Sequence, residues 1–583
     1  MIEVAGLADI PKNEPYGVAV ANVPLVLVRT DSQVVAYQGR CPHEGALLAE
    51  GKLEAGNLVC NKHQWKFRLE DGQKVGTPPA CLQRFVLEVE GGMVRISPAD
   101  LGKLRVAAAS EEELEEASVH IEDLPGPKGI PVLGNALKVT PSNLHLDLEA
   151  WADEFGGLYM LNMGVAGQIL IVSDPEIGIE MMKRRPEGFR RLAPIEKVFK
   201  DLYAHGVFSA EGEEWRMMRK AAAKGLNQAT LIRFYPKLLE VVERLKHRME
   251  RNAASGATLN MPDEIMRYTV DVTTNMTMGY DMNTLEQSGE TLQDHLTLAF
   301  PTILNRTLSP VPYWRYVKLP KDVKIDRSMK VVVSRIKEFI TVARHKMQQT
   351  PELYDAPEDF LQYMLAEDKK GAIYSEEQLV GQIFTMLLGG EDTTAYTLTW
   401  TIFYLIQNEE YLARARAEID AALGDGDLLD RTTALPFLEA AVHEAMRLRP
   451  VAPLIHLTAN VDQQVGRLWV PEGTDILYLN RQAALQNDNF YAAREFRPER
   501  WLEEMSHVAN NRTDIVTSFG GGSRYCPGRN LAIHMLKAGG AMLLKNFDFE
   551  LVTAPEDIKE VLTLGMGPDR IHMRVKVREP QVV

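Results

Sequence analysis

In the N-terminal part of the chain, short apolar runs alternate with turn residues. The segments GVAVANVPLVLVR, QVVAYQ and RFVLEV are rich in branched and aromatic residues, which predicts short β-strands. Gly91 and Gly92 lie between RFVLEVE and MVRIS, and they indicate a tight hairpin because both tolerate positive φ. We therefore predict a small all-β domain over residues 1–98.

The pattern changes after residue 98. Residues 99–121 are small, polar and acidic, which is typical of a solvated linker. From residue 122 to residue 583 apolar positions recur with a helical period, which predicts one large, mainly α domain with a small β region. Helices are expected near residues 211–228, 229–252, 325–349, 375–408, 435–449 and 527–545.

Composition and charge exclude several classes of protein. The apolar fraction of 45% and charged fraction of 25% are ordinary for globular domains. The formal net charge of −15 argues against nucleic acid or an anionic membrane as a partner. No apolar stretch approaches the ~18–20 residues of a spanning helix, and the initial MIEVAGLADIPKNEP lacks signal-peptide features. We expect a cytoplasmic protein without a membrane span.

The chain contains four cysteines, too few for a disulfide framework, so each is a candidate ligand or reactive thiol. Two of them begin short motifs with histidine, CPH at Cys41 and CNKH at Cys60. Zinc is a common partner of two cysteines and two histidines, but zinc patterns usually bring the cysteines together first. Here each motif supplies one sulfur and one nitrogen, which favours a binuclear iron–sulfur cluster and leaves zinc as the alternative.

The segments CPHEGALLAEG and LVCNKHQWKF resemble the two ligand boxes of Rieske ferredoxins, and the likeness extends over most of residues 1–98. The resemblance implies a [2Fe–2S] cluster with both thiolates on one iron and both imidazoles on the other. The implied ligands are Cys41, His43, Cys60 and His63. Asn61 and Gln64 stand where the family commonly has Pro and Gly, which leaves the cluster potential open.

The sequence also predicts the surroundings of three other residues in this region. Trp65 and Phe67 are expected to pack beneath the second loop. Cys81 has no matching histidine nearby, so we expect it to be a buried, small apolar residue.

A further cysteine motif, FGGGSRYCPGR, contains Cys526. Its glycines let backbone N–H groups approach the sulfur, and the helix predicted after it favours a thiolate. Taken alone, the motif also fits a buried thiol or a nucleophile. FGGGSRYCPGR resembles the haem-binding loop of the cytochrome P450 family, which implies haem b with Cys526 as the axial iron ligand. Phe519, Arg524 and Gly528 would then contact the cofactor.

The resemblance to cytochromes P450 covers about residues 122–583. Glu444 and Arg447 match the family's E-x-x-R pair, and Arg500 ends its F-x-P-x-R segment. The resemblance implies that these three residues form a structural network.

The haem carboxylates would need partners. Trp215 and Arg219 match the family's W-x-x-x-R, and one helical turn places both on one face. Arg524 is a second cationic candidate. His456 stands where relatives often carry Arg. We expect these four residues to hold the propionates.

The segment SEEQLVGQIFTMLLGGEDTTAYTLTWTIFYLIQN predicts one long helix, with Ser375 as N-cap and Gln378 completing a capping box. Its centre, GGEDTT, is a poor helix former because each glycine costs about 1 kcal/mol relative to alanine. GGEDTT resembles the family's oxygen-binding segment. The resemblance implies that Gly390 makes room at the haem, that the Thr393 hydroxyl contacts bound oxygen, and that Asp392 relays protons.

Together these resemblances imply a haem-thiolate monooxygenase that inserts one atom of O2 into a small hydrophobic organic substrate. The cluster would feed the haem one electron at a time, and because no G-x-G-x-x-G follows a strand, an external NAD(P)H-dependent flavoprotein reductase is implied. A peroxide-using or rearranging haem enzyme, or an electron carrier or redox sensor without turnover, are the alternatives. The substrate lining is expected at residues 204–208, Leu387, Leu388 and residues 451–457, and His534 has no assigned role.

Overall fold

The structure is a computed structural model that describes residues 2–20, 23–31, 33–42, 46–62, 64–76, 81–96, 119–164, 167–287, 292–309, 311–371, 374–424, 426, 430, 433–502 and 510–579. Strands dominate as far as residue 96, and helices dominate from residue 144 onward. In this part of the chain, no helix combines the length and the apolar character that crossing a membrane requires.

The N-terminal domain consists of short strands in antiparallel sheets of order β1-β10-β9, β2-β3-β4-β8 and β5-β6-β7. The strands are Ile2–Gly6 (β1), Pro15–Val20 (β2), Val23–Arg29 (β3), Val34–Gln38 (β4), Lys52–Glu54 (β5), Asn57–Val59 (β6), Lys66–Arg68 (β7), Arg84–Phe85 (β8), Leu87–Glu90 (β9) and Met93–Ile96 (β10). Gly91 and Gly92 join β9 to β10 with φ of 60° and 80°, which confirms the predicted hairpin.

Strand β3 is apolar on both sides because it lies between two clusters of buried side chains. Leu25 and Leu27 pack into one cluster, and Val26 and Val28 pack into the other. Alternate residues of a strand point to opposite faces, so a continuous apolar run is what a doubly covered strand requires.

The C-terminal domain is mainly helical, and each helical region predicted from the sequence contains a helix. The helices are Leu144–Phe155 (α1), Pro175–Lys183 (α2), Ala193–Asp201 (α3), Gly212–Gly225 (α4), Gln228–Ser255 (α5), Met261–Met278 (α6), Leu292–Leu296 (α7), Ala299–Thr307 (α8), Pro320–Gln349 (α9), Phe360–Lys369 (α10), Glu376–Gly390 (α11), Asp392–Ile406 (α12), Glu409–Leu423 (α13), Pro436–Leu448 (α14) and Arg529–Asn546 (α15).

Strands form the small β part of this domain. They are Val119–His120 (β11), Leu158–Asn162 (β12), Gln168–Val172 (β13), Phe189–Arg190 (β14), Thr258–Asn260 (β15), Leu454–Ala459 (β16), Gln463–Val465 (β17), Leu468–Val470 (β18), Asp475–Leu479 (β19), Phe547–Leu551 (β20), Glu560–Leu562 (β21), Met566–Pro568 (β22) and His572–Val577 (β23). The largest sheet has the order β12-β13-β19-β16-β14. Strand β11, within the predicted linker, pairs in parallel with β18.

The long helix predicted near 375–408 is interrupted. Helix α11 begins with the expected capping box, in which the Ser375 hydroxyl accepts from the N–H of Gln378 and the Gln378 side chain accepts in return. It ends at Gly390, and α12 begins at Asp392, because Glu391 has ψ of −84°, outside the helical range. Helix α11 packs into a core with α4, whereas α12 packs into a core with α14 and α15.

The predicted network around Glu444 is present and fully buried. The Arg447 guanidinium donates to both Glu444 carboxylate oxygens at 2.8 and 2.7 Å. Arg500 Nε donates to the same carboxylate at 3.1 Å, and Trp501 Nε1 donates to it at 3.0 Å. These bonds join α14 to the segment that precedes the Cys526 motif.

Candidate functional site

Two cysteines of the N-terminal domain lie just after strands, each at the start of a tight loop. Cys41 follows β4 and Cys60 follows β6, and the N–H of each donates to the carbonyl five residues further along at 2.8 Å. Both are buried in one apolar cluster, with exposures of 2% and 1%. Buried thiols on two such loops fit the ligand set of a cluster. The other expected ligands, His43 and His63, lie outside the described residues.

The second loop shows what its departures from the family pattern do. Gln64, at a position where Gly is common, has a φ of 57°, so a non-glycine residue occupies the left-handed region there. Its side-chain amide donates to the Asn61 carbonyl at 3.3 Å. Phe67 is buried with the two cysteines and Trp65 packs against the same cluster, as predicted.

The expectation of a buried Cys81 is wrong, because its side chain is exposed. Cys81 forms an isolated bridge with Gln73, and its Sγ lies 3.7 Å from the Asp71 carbonyl oxygen. The apolar character of a thiol gave no indication of this exposure.

The loop of residues 519–528 holds Cys526 between Phe519 and the N-cap of α15, Gly528. Gly520 and Gly522 have φ of 74° and 63°. A Cβ on Gly522 would lie 2.3 Å from the Met182 carbonyl oxygen, so this turn requires glycine.

Cys526 itself is held by backbone bonds. Its N–H donates to the Phe519 carbonyl at 2.8 Å, which closes the loop. Burial raises the pKa of the Cys526 thiol, while hydrogen bonds from the N–H groups of Gly528 and Arg529 and the charge of Arg219 lower it. Amide donors and nearby cations of this kind favour a thiolate ligand.

Three residues predicted as haem partners meet beside this loop. The Arg524 guanidinium stacks on the Trp215 ring, 4.5 Å from its centroid, and pairs with Glu211. Arg219 Nη1 donates to the carbonyl of Tyr525 at 2.8 Å. The fourth, His456, lies on β16 of the large sheet.

Arg185 and Arg191 join this group, although the sequence analysis did not single them out. Burial lowers the pKa of Arg185 well below its usual value, and the charges of Arg191 and Arg524 lower it further. Burial and then the Arg524 charge lower the pKa of Arg191 to about 9. Burial and then the Arg191 charge lower the pKa of His456 to about 4. The basic pairs in RRPEGFRRLAP were the available signal, and the pairing of β14 with β16 brings that segment to His456.

These residues form a cationic cluster whose nitrogens are incompletely paired. The atoms without a hydrogen-bond partner among the described residues are Arg185 Nε and Nη2, Arg191 Nε, Arg219 Nε and Nη2, Arg524 Nε and Nη1, and His456 Nδ1. Buried donors without acceptors, beside like charges, are costly unless an anion binds there. Two haem carboxylates would supply both the acceptors and the negative charge, so the cluster fits a haem.

The break between α11 and α12 has an open side and a packed side. The Thr393 hydroxyl donates to the Gly389 carbonyl at 2.8 Å, and Thr393 is exposed. A Cβ on Gly389 would meet no described atom within 4 Å, whereas one on Gly390 would lie 2.6 Å from the Thr273 side chain. Room for a ligand is therefore at Gly389 and Thr393, and Gly390 packs against α6.

Two acids are buried at the break. Burial raises the pKa of Asp392 to about 7. Burial and then the Asp392 charge raise the pKa of Glu391 well above its ordinary value. Asp392 Oδ1 and both Glu391 carboxyl oxygens have no hydrogen-bond partner among the described residues. A carboxyl that titrates near neutrality can take up and release protons, and Glu391 is an acid that the sequence analysis did not assign.

The predicted substrate lining is divided among several clusters. The loop of residues 204–208 packs against α11, and the Thr385 hydroxyl of that helix donates to the Ala204 carbonyl at 2.6 Å. Leu387 and Leu388 share one apolar cluster with this loop. Buried residues within 451–457 belong to other clusters. His534 lies edge-to-face on Tyr235, with 5.5 Å between ring centroids.

The N-terminal domain contacts the C-terminal domain through segments next to Cys41 and Cys60. Arg40 pairs with Glu187 and donates to the Arg185 carbonyl. Glu50 Oε1 lies 3.5 Å from Arg219 Nε. These ion pairs attach the first cysteine loop to the cationic cluster.

The second cysteine loop meets the 519–528 loop directly. Asn61 Nδ2 donates to the Tyr525 hydroxyl at 3.4 Å, and Lys62 Nζ lies 5.4 Å from the centre of the Tyr525 ring. Beside this contact is a cleft of about 1350 Å³, lined by residues of both domains that include Cys60 and Cys526. The two predicted cofactor loops therefore face each other.

Comparison with known families identifies both domains. The cytochrome P450 family profile matches residues 124–575, which is most of the chain. This chain belongs to the cytochrome P450 family. A Rieske [2Fe-2S] domain profile matches residues 1–86, so the P450 is preceded by a Rieske domain. The predicted fusion and fold class are confirmed, as are the two cofactors, a haem with a cysteine thiolate ligand and a [2Fe–2S] cluster with Cys and His ligands.

Proteins similar to this chain include P450 enzymes of fungi and plants. A self-sufficient cytochrome P450 monooxygenase from Penicillium expansum is 28% identical over 79% of this chain and 43% of its own length. The chloroplastic carotene epsilon-monooxygenase of Arabidopsis thaliana is 26% identical over 73% of this chain and 81% of its own. Trans-cinnamate 4-monooxygenase of Petunia hybrida is 28% identical over 77% of this chain and 91% of its own length. This P450 thus spans less than half of the length of the Penicillium relative. The predicted enzyme class, P450 monooxygenase, is confirmed.

Proposed function

We propose that this P450 inserts one oxygen atom from O2 into a small hydrophobic organic substrate and receives the electrons from its own Rieske domain. The observation that carries the proposal is the contact between the loop after Cys60 and the loop before Cys526, through Asn61 and Tyr525. An electron that enters the N-terminal domain then needs no diffusional encounter to reach the C-terminal domain.

The residues that would hold the cofactors follow from the two loops and the cationic cluster. Cys41, His43, Cys60 and His63 would bind the cluster, and Cys526 the haem iron. Arg219, Arg524, His456 and the stacked Trp215 would hold the haem carboxylates, together with Arg185 and Arg191. Phe519 and Gly528 would fix the thiolate loop. When bound, the haem supplies oxygen activation and the cluster supplies single electrons.

Protons would reach the site along the broken helix. Thr393 offers a hydroxyl at the open side of the break, where it already donates to Gly389 at 2.8 Å. Asp392, whose pKa is raised to about 7, would take protons from the solvent side and pass them toward Thr393. Gly390, packed on Thr273, would hold the break in place rather than line the haem.

The substrate would be a medium-sized hydrophobic compound. Ala204, Val207, Leu387 and Leu388 are all buried in one apolar cluster and offer few polar atoms for recognition. An external NAD(P)H-dependent flavoprotein reductase would supply the electrons, and we propose that the enzyme acts in the cytoplasm.

The internal electron route is tested by stopped-flow reduction of the intact chain and of a Cys41→Ser variant under carbon monoxide. With the reductase as donor, we expect the intact chain to develop the ferrous–CO band and the variant to lose most of that rate. Haem content must match between the two proteins. Equal rates would contradict an internal donor.

A further inference from the structure

Tyr525 occupies the junction between the two cofactor loops. It directly precedes Cys526, and its carbonyl accepts from Arg219 Nη1 at 2.8 Å. The Arg219 guanidinium lies 4.4 Å from the ring centre and Lys62 Nζ lies 5.4 Å from it. Two cations from different domains therefore contact one aromatic ring, which fixes its position.

On the other side of the junction, Asn61 directly follows Cys60. Its Nδ2 donates both to the Tyr525 hydroxyl at 3.4 Å and to Glu50 Oε2 at 3.3 Å. Proline, common at this position in Rieske domains, has no side-chain donor and could make neither bond. The departure from the family pattern thus coincides with the contact between the domains.

Glu50 connects this contact to the haem side. Its carboxylate accepts from Asn61 and lies 3.5 Å from Arg219 Nε, and Arg219 in turn donates to the Tyr525 carbonyl. Arg219 is 2% exposed, so losing its partners would leave a buried charge uncompensated. Asn61, Glu50, Arg219 and Tyr525 form a closed ring of contacts across the domain boundary.

We propose that Tyr525 is the residue through which electrons pass from the Cys60 loop to the Cys526 loop, and that Asn61 is the positioning residue that holds the two loops together. This deepens the proposed function and rests on it. Each transfer would move one electron from the [2Fe–2S] cluster held by the Cys60 loop to the haem held by Cys526, which would oxidise the cluster and reduce ferric haem iron to ferrous. No bond forms or breaks, and the electron comes from NAD(P)H through the external reductase. Along this route the step between the two domains is the 3.4 Å from Asn61 Nδ2 to Tyr525 Oη.

The test uses the full-length holoprotein, with the cluster reduced photochemically and haem reduction followed by its ferrous–CO band. Tyr525→Leu removes the ring and should slow the intramolecular rate by about tenfold or more, because transfer depends steeply on geometry. Tyr525→Phe keeps the ring and should slow it less. Tyr316→Leu, at a residue that is 81% exposed, is the matched control and should leave the rate unchanged.

Asn61 is tested by Asn61→Ala, which should lower the rate about fivefold because one hydrogen bond of docking is lost. Asn61→Gln, which keeps an amide donor, should restore part of it. The EPR spectrum of the reduced cluster and the haem CO spectrum must stay unchanged, which separates lost positioning from a damaged cofactor.

The outcomes separate this inference from the proposed function. Loss of haem reduction in Cys41→Ser together with an unchanged rate in Tyr525→Leu would overturn the role of Tyr525 alone. An unchanged rate in Asn61→Ala would overturn the positioning role of Asn61. An unchanged rate in Cys41→Ser would overturn both the inference and the internal route.

Discussion

At the scale of single residues, we expect the chemistry of this P450 to depend on a few side chains around the break between α11 and α12. Asp392 and Glu391 are buried acids at the break in the long helix. Asp392 Oδ1 and both Glu391 carboxyl oxygens have no hydrogen-bond partner among the described residues. Thr393, one residue further on, turns its hydroxyl back to Gly389. Adjacent positions on a helix face different directions, so three consecutive polar residues can serve three different purposes.

Replacing Thr393 by alanine should uncouple oxygen consumption from product formation. Without the hydroxyl, proton delivery loses its last donor, and product formed per O2 consumed should fall by about tenfold or more while peroxide is released. Oxygen uptake, peroxide and product measured together check this. Thr397→Ala removes a hydroxyl one turn away, which donates to the Thr393 carbonyl, and this variant should stay coupled. Unchanged product per electron in Thr393→Ala would contradict the role.

Replacing Glu391 by glutamine should change how stability depends on pH. Burial raises the pKa of Glu391 in the folded protein above its unfolded value, so the folded state keeps a proton that the unfolded state loses. Below the pKa of Glu391 in the unfolded state, the side chain is protonated in both states and costs no stability. As the pH rises from there toward its pKa in the folded state, the free energy of unfolding falls by about 1.4 kcal/mol per pH unit. Glu391→Gln should therefore gain on the wild type as pH rises from 5 to 8. Unfolding midpoints that differ by the same amount at all pH values would contradict this.

At the scale of elements, the interrupted helix is fixed by its neighbours as much as by its own residues. The glycine pair lowers helix propensity, but the two glycines are not equivalent. Gly390 packs against Thr273 of α6, and the Thr269 hydroxyl donates to the Glu391 carbonyl at 3.1 Å. Helix α6 thus adds a second donor to this carbonyl, which also accepts from the N–H of Ala395 at 3.3 Å.

Replacing each glycine by alanine should separate these effects. Gly390→Ala would place a Cβ 2.6 Å from Thr273, and an overpacked site of this kind costs about 1–3 kcal/mol. Gly389→Ala meets no described atom within 4 Å and should gain about 1 kcal/mol of helix propensity. Thermal unfolding midpoints should fall for Gly390→Ala and not for Gly389→Ala, and adding Thr273→Ala should recover part of the loss. Equal unfolding midpoints for the two single variants would contradict the difference between a packed Gly390 and an open Gly389.

At the scale of the whole molecule, the two domains are joined by pairs of opposite charges. Arg40 and Glu187 are 19% and 11% exposed as side chains, and they pair across the boundary. Glu50 and Arg219 form a second such pair. Charge pairs at a partly buried boundary fix orientation, which an electron route over a short gap requires.

Removing Arg40 should loosen this boundary. In Arg40→Ala the Glu187 carboxylate stays buried without its partner, a loss of about 2–5 kcal/mol for such pairs. Hydrogen exchange should increase in residues 46–50 and 519–528 of the full chain. Lys12→Ala breaks an exposed pair with Asp31 elsewhere on the same domain and is the matched control. Equal protection of these segments in both variants would show that the pair does not hold the domains.

The amino-acid sequence alone determined the cofactor chemistry and the main elements. The alternation of Cys and His in CPH and CNKH favoured an iron–sulfur cluster, and the resemblance of FGGGSRYCPGR to the haem-binding loop of cytochromes P450 indicated the haem thiolate. Helical periodicity, the glycine hairpin and the Ser375 capping box are local as well, and the structure contains all three.

Only the tertiary structure decided which distant residues meet. Asn61 and Tyr525 are 464 positions apart, and no local pattern pairs them. Neighbours from other elements likewise decide three further features. They bring Arg185 and Arg191 into the cationic cluster, leave Cys81 exposed and pack Gly390 against α6. A residue's type and spacing set what it can bind, but burial, pairing and charge compensation depend on the packing of segments that the chain order does not place together.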